Sequence, residues 1–375
     1  MPIDINLLRT EKGGNPETIK KSQQKRFGDE AIVDEIIALD EQWRKANYQM
    51  ETLKMEFNKT NKAIADRKKE SKGQDKCEDL MEQSKELKTK IEEQTKLAAQ
   101  LDTDRNEKLK KVGNVVGDQV PVFKDEEKNE VTKVWGEKSD LKIDGKTLGH
   151  LHHHEIMDLI DMVELERGQK VAGHRGYYLK GLGVMLNQAL INFGMSSLYK
   201  DKYTPIQPPY FMKGKIMHET CQLDDFEENL YQVEGTDDKD PLYLIATSEQ
   251  PISAMHRGEW IEPSELPIRY AGSSTCFRKE AGSHGRDVWG LFRIHQFEKV
   301  EQFIYSAPDK SWEEMDRMIA TSEKFYQALN LPYQVIKIVS GALNDAAAMK
   351  YDLEAWFPGY GAYRELVSCS NCTDY

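Results

Sequence analysis

No run of eighteen apolar residues occurs in this 375-residue chain, so nothing in it predicts a membrane span. The first ten residues, MPIDINLLRT, lack the basic and apolar regions of a secretory signal, and Asp4, Glu11 and Glu17 argue against a mitochondrial transit segment. Cysteine is scarce. Five residues at irregular spacing build no disulfide framework and fit a reducing compartment, which makes the cytoplasm the expected location. Positive net charge is lacking as well: the formal balance is −12, which by itself disfavours a nucleic-acid binder. Its distribution matters more than its sum. Residues 1–118 hold 24 Lys+Arg against 24 Asp+Glu, and the remaining 257 residues carry the whole −12. The expected domains are therefore 1–118 and 119–375.

From Ile32 a 4,3 spacing runs unbroken through Ile36, Leu39, Trp43, Ala46, Met50, Leu53, Phe57, Thr60 and Ile64. A second seam runs through Leu80, Ser84, Leu87, Ile91, Gln94, Ala98 and Leu101. Sustained heptads without proline predict two long helices, each about 50–60 Å at 1.5 Å per residue. The intervening Glu70-Ser-Lys-Gly-Gln-Asp75 supplies a glycine and a helix-capping aspartate, so the helices form an antiparallel hairpin over about 31–112. A dimerisation coiled coil is the competing interpretation. Against it, residues 59–76 carry seven basic and three acidic side chains. A local excess of +4, including Arg67, Lys68, Lys69 and Lys72, suits contacts to backbone phosphates, although a charge run is also what a solvated face looks like.

Beyond Gly113 the helical period stops, and 120–129 reads as an extended linker. Gly149-His-Leu-His-His-His-Glu155 invites a metal hypothesis, but adjacent histidines point in different directions and no cysteine lies near them. A surface turn into a helix over 155–166 is the better expectation. The glycines of 173–183 do not match the dinucleotide fingerprint. A strand over 175–180, an apolar helix over 182–193 and a proline-ended strand in 203–210 follow.

Residues 275–303 form the most informative block. A strand ends near Glu280, a loop punctuated by Gly282, Gly285 and Gly290 follows, and 292–304 returns as a strand. Alternation then places Arg293, His295, Phe297, Lys299 and Glu301 on one face. Cations, an aromatic ring and a carboxylate together suit a nucleotide: guanidinium to phosphate, ring against base, carboxylate to an amine or metal. A face turned to solvent is the bland alternative.

The hairpin beginning Phe277-Arg278-x-Glu280 resembles motif 2 of class II aminoacyl-tRNA synthetases, and its run through His295-Gln-Phe-Glu-Lys-Val-Glu-Gln302 resembles seryl-tRNA synthetases in particular. The helix, strand and Pro208-Pro209 resemble motif 1, Thr247-Ser-Glu249 the serine loop, and the segment from Met217 to Phe226 what precedes it. Tyr351-Asp-Leu-Glu-Ala-Trp-Phe-Pro358 and Tyr363-Arg-Glu-Leu-Val-Ser-Cys-Ser-Asn371 resemble the strands closing the nucleotide site, and the hairpin resembles the tRNA-binding arm. The resemblance covers the whole chain.

It implies an α+β fold: a coiled-coil arm followed by an antiparallel sheet flanked by helices. It also implies a homodimer formed through the motif 1 region, and a ligase that activates L-serine with ATP and Mg²⁺ and transfers it to serine tRNA, and also to selenocysteine tRNA. In that family's pattern Arg278 would hold the ATP α-phosphate and the serine carboxylate, Phe297 would stack under adenine, and Arg293 would reach the distal phosphates. Glu280 would orient ATP. Glu365 and Ser368 would bind Mg²⁺, and Thr247, Glu249 and Glu301 would receive the amino and hydroxyl groups of serine. The loop 281–292 would meet the tRNA acceptor end. Cys369-Ser-Asn-Cys372 matches a structural segment, so no zinc is expected. The chain ends at Tyr375, before motif 3. A chain without that segment is expected to show no serine-dependent ATP–pyrophosphate exchange, and a catalytically inactive tRNA-binding fragment is the alternative.

Overall fold

The computed structural model describes residues 3–138, 142–143, 146–147, 149, 151–220, 229–236, 239–280 and 290–375. The loop 281–289, residues 221–228 and His150, each part of a segment singled out above, lie outside the described residues. Two compact units meet in sequence at Val116 and Gly117.

The first unit comprises α1 (Pro16–Lys25), α2 (Ala31–Glu70) and α3 (Glu78–Leu109). α2 and α3 form the antiparallel hairpin, and every position of the two heptad seams is buried or half-buried between mostly exposed neighbours. Polar seam residues bond across it: Ser84 Oγ to Asn61 Oδ1 at 2.9 Å, and Gln94 Nε2 to the Ala46 carbonyl at 3.3 Å. At the tip Lys72 (φ 49°) and Gly73 (φ 85°) turn the chain in left-handed conformations. Asp75 differs from expectation. Its Oδ1 accepts from the Cys77 amide at 2.8 Å, and Cys77, itself left-handed, occupies the N-cap of α3. At the other end Ile3, Leu8, Ile19, Val33, Ile36, Leu109 and Val112 make a small core. Beside it Asp40, 3% exposed, pairs with Arg9 (2.7 Å), Arg44 (3.1 Å) and Arg105 (3.1 Å).

The second unit begins with β1 (Glu130–Trp135), β2 (Lys142–Ile143), β3 (Lys146–Thr147), α4 (His153–Leu159), β4 (Val163–Glu164), α5 (Leu165–Ala172) and β5 (Tyr178–Leu179). The single helix expected over 155–166 is thus two. Asp161 turns left-handed (φ 56°), which lets Met162 and Val163 bury and Val163 pair with Leu179. The strand expected over 175–180 shrinks to that pairing. Residues 120–129 are less extended than expected, with Val120 buried and a 3₁₀ turn at Glu126–Lys128.

Next come α6 (Leu182–Lys200), β6 (Thr204–Ile206), β7 (Phe211–Lys213), α7 (Gly214–Thr220), β8 (Leu242–Leu244), α8 (Glu249–Ser253), β9 (Ile268–Phe277) and β10 (Gln296–Tyr305). The chain continues as α9 (Ser311–Ala328), β11 (Tyr333–Lys337), β12 (Met349–Phe357) and β13 (Ala362–Asn371). One sheet has the order β1-β11-β12-β13 and is wholly antiparallel. The other has the order β10-β9-β6, with β6 parallel to β9. α6 covers one face of β9 and β10, burying Leu198, Tyr203 and Ala271 against Met195, Val300 and Ile304. α9 packs on β12 and β13. On the opposite face α8 lies against β10, with Ser248 and Ile252 close to Gly272.

Candidate active site

β10 begins at Gln296, four residues later than expected. Before it, Gly290 turns left-handed (φ 65°) and the Leu291 amide donates to His153 Nε2 at 2.9 Å. His153 is edge-on to Phe292 at 4.5 Å, in a ring cluster with His152, His154 and Tyr360. Burial, then its histidine neighbours, push its pKa down to about 4, which keeps the ring neutral and able to accept that hydrogen bond. The histidine triplet therefore braces the end of the hairpin loop.

The Arg278 amide donates to the His295 carbonyl at 3.0 Å, and His295 Nδ1 lies 3.0 Å from both the Arg278 carbonyl and Tyr231 Oη. A carbonyl only accepts, so Nδ1 carries the proton. In the ladder Phe297 faces Cys276, Lys299 faces Ser274 and Glu301 faces Gly272, which puts these three on one face as expected, whereas Arg293 and His295, expected on the same face, precede the strand and are not placed by its alternation.

Two groups of side chains occupy that face. In the first, the Arg278 guanidinium stands 5.2 Å over the Phe297 ring, Arg278 Nε donates to the Ala246 carbonyl at 3.4 Å, and Arg293 Nη1 reaches Glu280 Oε2 at 3.5 Å. β9 ends at Phe277 rather than near Glu280, and Glu280, three residues beyond it, is held in a left-handed conformation (φ 54°). In the second, Thr247 Oγ1 donates to Glu301 Oε2 at 2.8 Å and accepts from Lys299 Nζ at 2.7 Å, while Lys299 pairs with Glu301 at 2.9 Å. Glu249 opens α8 beside this network. Its surface is open to solvent, yet its crowded surroundings and then the Glu301 carboxylate push its pKa up. Lys299, already paired with Glu301, acts against that repulsion.

Residues 248 and 252 come up against the sheet at Gly272, where a side chain would crowd them. A Cβ there would stand 2.7 Å from Ile252 Cδ1 and 2.8 Å from Ser248 Oγ.

Glu365 and Ser368 are three apart on β13, which in a regular strand would put them on opposite faces. A bulge corrects this. Leu353 pairs with Val367 but Glu354 with Glu365, so Leu366 is the extra residue, and Glu365 and Ser368 share a face with Asp352 and Glu354. Both are exposed there. Glu365 is nonetheless ringed by protein, and that desolvation followed by the Asp352 carboxylate pushes its pKa up, against Lys350, Arg278 and Arg293. Among the described residues no three His, Cys, Asp or Glu side chains converge as a preformed metal cage. Two same-face oxygen donors nevertheless suit Mg²⁺, which takes one or two carboxylates and fills its sphere with phosphate and water. Burial pushes the Cys369 and Cys372 thiols up to about 12, so they stay protonated.

On the hairpin, Lys68, Lys69 and Lys72 are exposed. Arg67 is instead bonded to both Asp79 oxygens (2.9 and 3.0 Å) and lies 3.5 Å from Asp75. Sequence reasoning gave no role to Lys299, His295, Tyr231 or Asp352. The alternation held a signal for the first two, whereas the others come into play only through contacts that no local pattern carries.

Residues 3–116 match the family model "Seryl-tRNA synthetase N-terminal domain", and residues 231–375 match "tRNA synthetase class II core domain (G, H, P, S and T)". The cytoplasmic serine–tRNA ligase of Dictyostelium discoideum is 49% identical over 375 residues, which are 100% of this chain and 81% of that protein. The cytoplasmic serine–tRNA ligase of Naegleria fowleri, solved in complex with AMP, superposes with a TM-score of 0.85 at 44% identity, covering 100% of this chain and 84% of that one. The seryl-tRNA synthetase of Pyrococcus horikoshii, solved with ATP, gives 0.85 at 36% identity over 99% and 85% of the two chains.

Proposed function

The chain belongs to the seryl-tRNA synthetase family, and on that premise we propose that it is a cytoplasmic serine–tRNA ligase whose chemistry lies on the face of β9 and β10 opposite α6. One observation carries this reading. An arginine stacked on an aromatic ring, Arg278 on Phe297, shares a strand face with the Thr247–Glu301–Lys299 network.

Adenine slides onto Phe297, and Arg278 holds the α-phosphate of ATP together with the carboxylate of serine. A serine carboxylate oxygen attacks the α-phosphorus, the bond to the β-phosphate oxygen breaks, and pyrophosphate leaves. No protein nucleophile takes part. Catalysis is positioning plus neutralisation of charge. Arg293 reaches the distal phosphates, with Glu280 setting its orientation. Glu365 and Ser368 would hold Mg²⁺, which would supply neutralisation of phosphate charge. Glu249 and Glu301 receive the serine ammonium, and Thr247, its hydroxyl fixed between Lys299 and Glu301, meets the serine hydroxyl with Glu249. The terminal ribose hydroxyl of serine tRNA, and by the same chemistry of selenocysteine tRNA, then attacks the acyl carbon and AMP leaves.

Lys68, Lys69 and Lys72 contact tRNA phosphates, and Arg67 holds the hairpin tip through Asp75 and Asp79. Homodimerisation through the motif 1 region is supported by the apolar face of α6, where Leu182, Met185 and Leu186 are 72%, 67% and 52% exposed.

The test is calorimetric binding of a sulfamoyl analogue of seryl-adenylate. Arg278→Ala is expected to weaken binding about 10- to 100-fold, the worth of hydrogen bonds to a charged group. Unchanged affinity in a folded variant would overturn the reading.

A further inference from the structure

Asp352 lies on β12 directly across the ladder from Ser368, and its side chain is only 7% exposed. Lys350 Nζ lies 3.3 Å from Oδ2, which accounts for one carboxylate oxygen. The other, Oδ1, is buried and makes no hydrogen bond of ordinary geometry, although, against the burial that raises the carboxyl's pKa, the nearby Ser368 hydroxyl pulls it down. A dry carboxylate oxygen without a well-formed hydrogen bond is costly, so an ion pair with Lys350 alone does not explain the residue. What faces Asp352 is the Ser368 hydroxyl, with Glu365 brought to the same side by the bulge at Leu366. Arg278 and Arg293 act on Glu365 from the hairpin.

We propose that Asp352 is a positioning residue for the cation site: it takes the proton of the Ser368 hydroxyl in a hydrogen bond, turning the oxygen lone pairs outward beside Glu365, and adds a fixed negative charge behind them. The proposal rests on Glu365 and Ser368 holding a divalent cation with ATP. A hydroxyl has one proton and two lone pairs, so aiming the proton at Asp352 frees the oxygen to act as a ligand. Partners of this kind fix ligand orientation, and losing one typically costs 10- to 100-fold in metal affinity.

The experiment is equilibrium dialysis of ATP against the protein, in Mn²⁺ and again in EDTA. For Asp352→Asn the ratio of the two affinities should fall at least tenfold. Affinity in EDTA should hold or tighten, because a negative charge near the phosphates has gone. Since part of the effect of Asp352 runs through Ser368, Asp352→Asn combined with Ser368→Ala should lose less of the ratio than the two single losses added together. An equal loss in Mn²⁺ and in EDTA would mean a merely structural role, and an unchanged ratio would also overturn the proposal. Asp352→Ser is read in the same way should the asparagine variant fail to fold. Glu365→Gln separates the two levels. If it too leaves the ratio intact, the cation-site reading itself fails; if it alone lowers the ratio, only the role of Asp352 falls.

Discussion

Replacing Gly272 with alanine adds one methyl group beneath the serine loop. Gly272 does not have a left-handed φ, so the change introduces no backbone strain and acts by contact alone. The new Cβ would stand 2.7 Å from Ile252 Cδ1 and 2.8 Å from Ser248 Oγ, and both of those residues are buried. Carbon atoms rest at about 3.5–4.0 Å, so the ends of these two buried side chains must turn aside or the loop must retreat, by up to about 1 Å. Overpacking of this kind costs about 1–3 kcal/mol. A loop retreat of that size opens the 2.8 Å bond from Thr247 to Glu301 past hydrogen-bonding distance. A misplacement of about 1 Å is worth about a hundredfold where a substrate must be positioned. Gly272→Ala should therefore weaken the seryl-adenylate analogue about 10- to 100-fold in calorimetry, while ATP alone, which the proposed reading places at Phe297 and Arg278, binds within about twofold. Unaltered analogue affinity, or an equal loss for ATP, would refute the argument that this glycine sets the serine pocket.

Asp40→Asn should destabilise the first unit by about 1.5–3 kcal/mol in thermal unfolding, because the buried carboxylate that Arg9, Arg44 and Arg105 share loses its charge, while Arg105 keeps its 2.6 Å pair with Asp102. Burial tends to raise the Asp40 pKa, but Arg9, Arg44 and Arg105 outweigh it and hold it low; its stabilisation is complete above the unfolded carboxylate value of about 3.9 and is lost as pH falls through the folded value. Replacing Lys68, Lys69 and Lys72 with alanine should reduce the slope of log affinity for tRNA against log salt by about 2 to 3, leaving binding of the adenylate analogue unchanged. Met185→Asp should yield monomers in sedimentation velocity, whereas an intact dimer would remove α6 from the interface.

The arm was legible because a heptad repeat is a local, one-dimensional signal, and each of its positions from Ile32 to Leu101 lies in the seam. The face of β10 was legible for the same reason: alternation alone groups Phe297, Lys299 and Glu301. Register across strands was not. Nothing local shows that Leu366 is a bulge, that Asp352 stands opposite Ser368, or that Gly272 lies under residues 247–252. The helix expected over 155–166 failed because one left-handed aspartate, Asp161, outweighed a continuous helical pattern once Met162 and Val163 could bury. Arg67 had the composition of a phosphate contact, but its partners Asp75 and Asp79 lie beyond the turn, where helix spacing does not predict them.

The most direct test of the central claim compares the affinities of the seryl- and alanyl-sulfamoyl adenylate analogues, which differ by one hydroxyl. A pocket in which Thr247, Glu249 and Glu301 are arranged for that hydroxyl and the ammonium leaves polar groups unpaired when the hydroxyl is missing, so the seryl compound should bind about a hundredfold tighter or more. Equal affinity for the two would contradict the account.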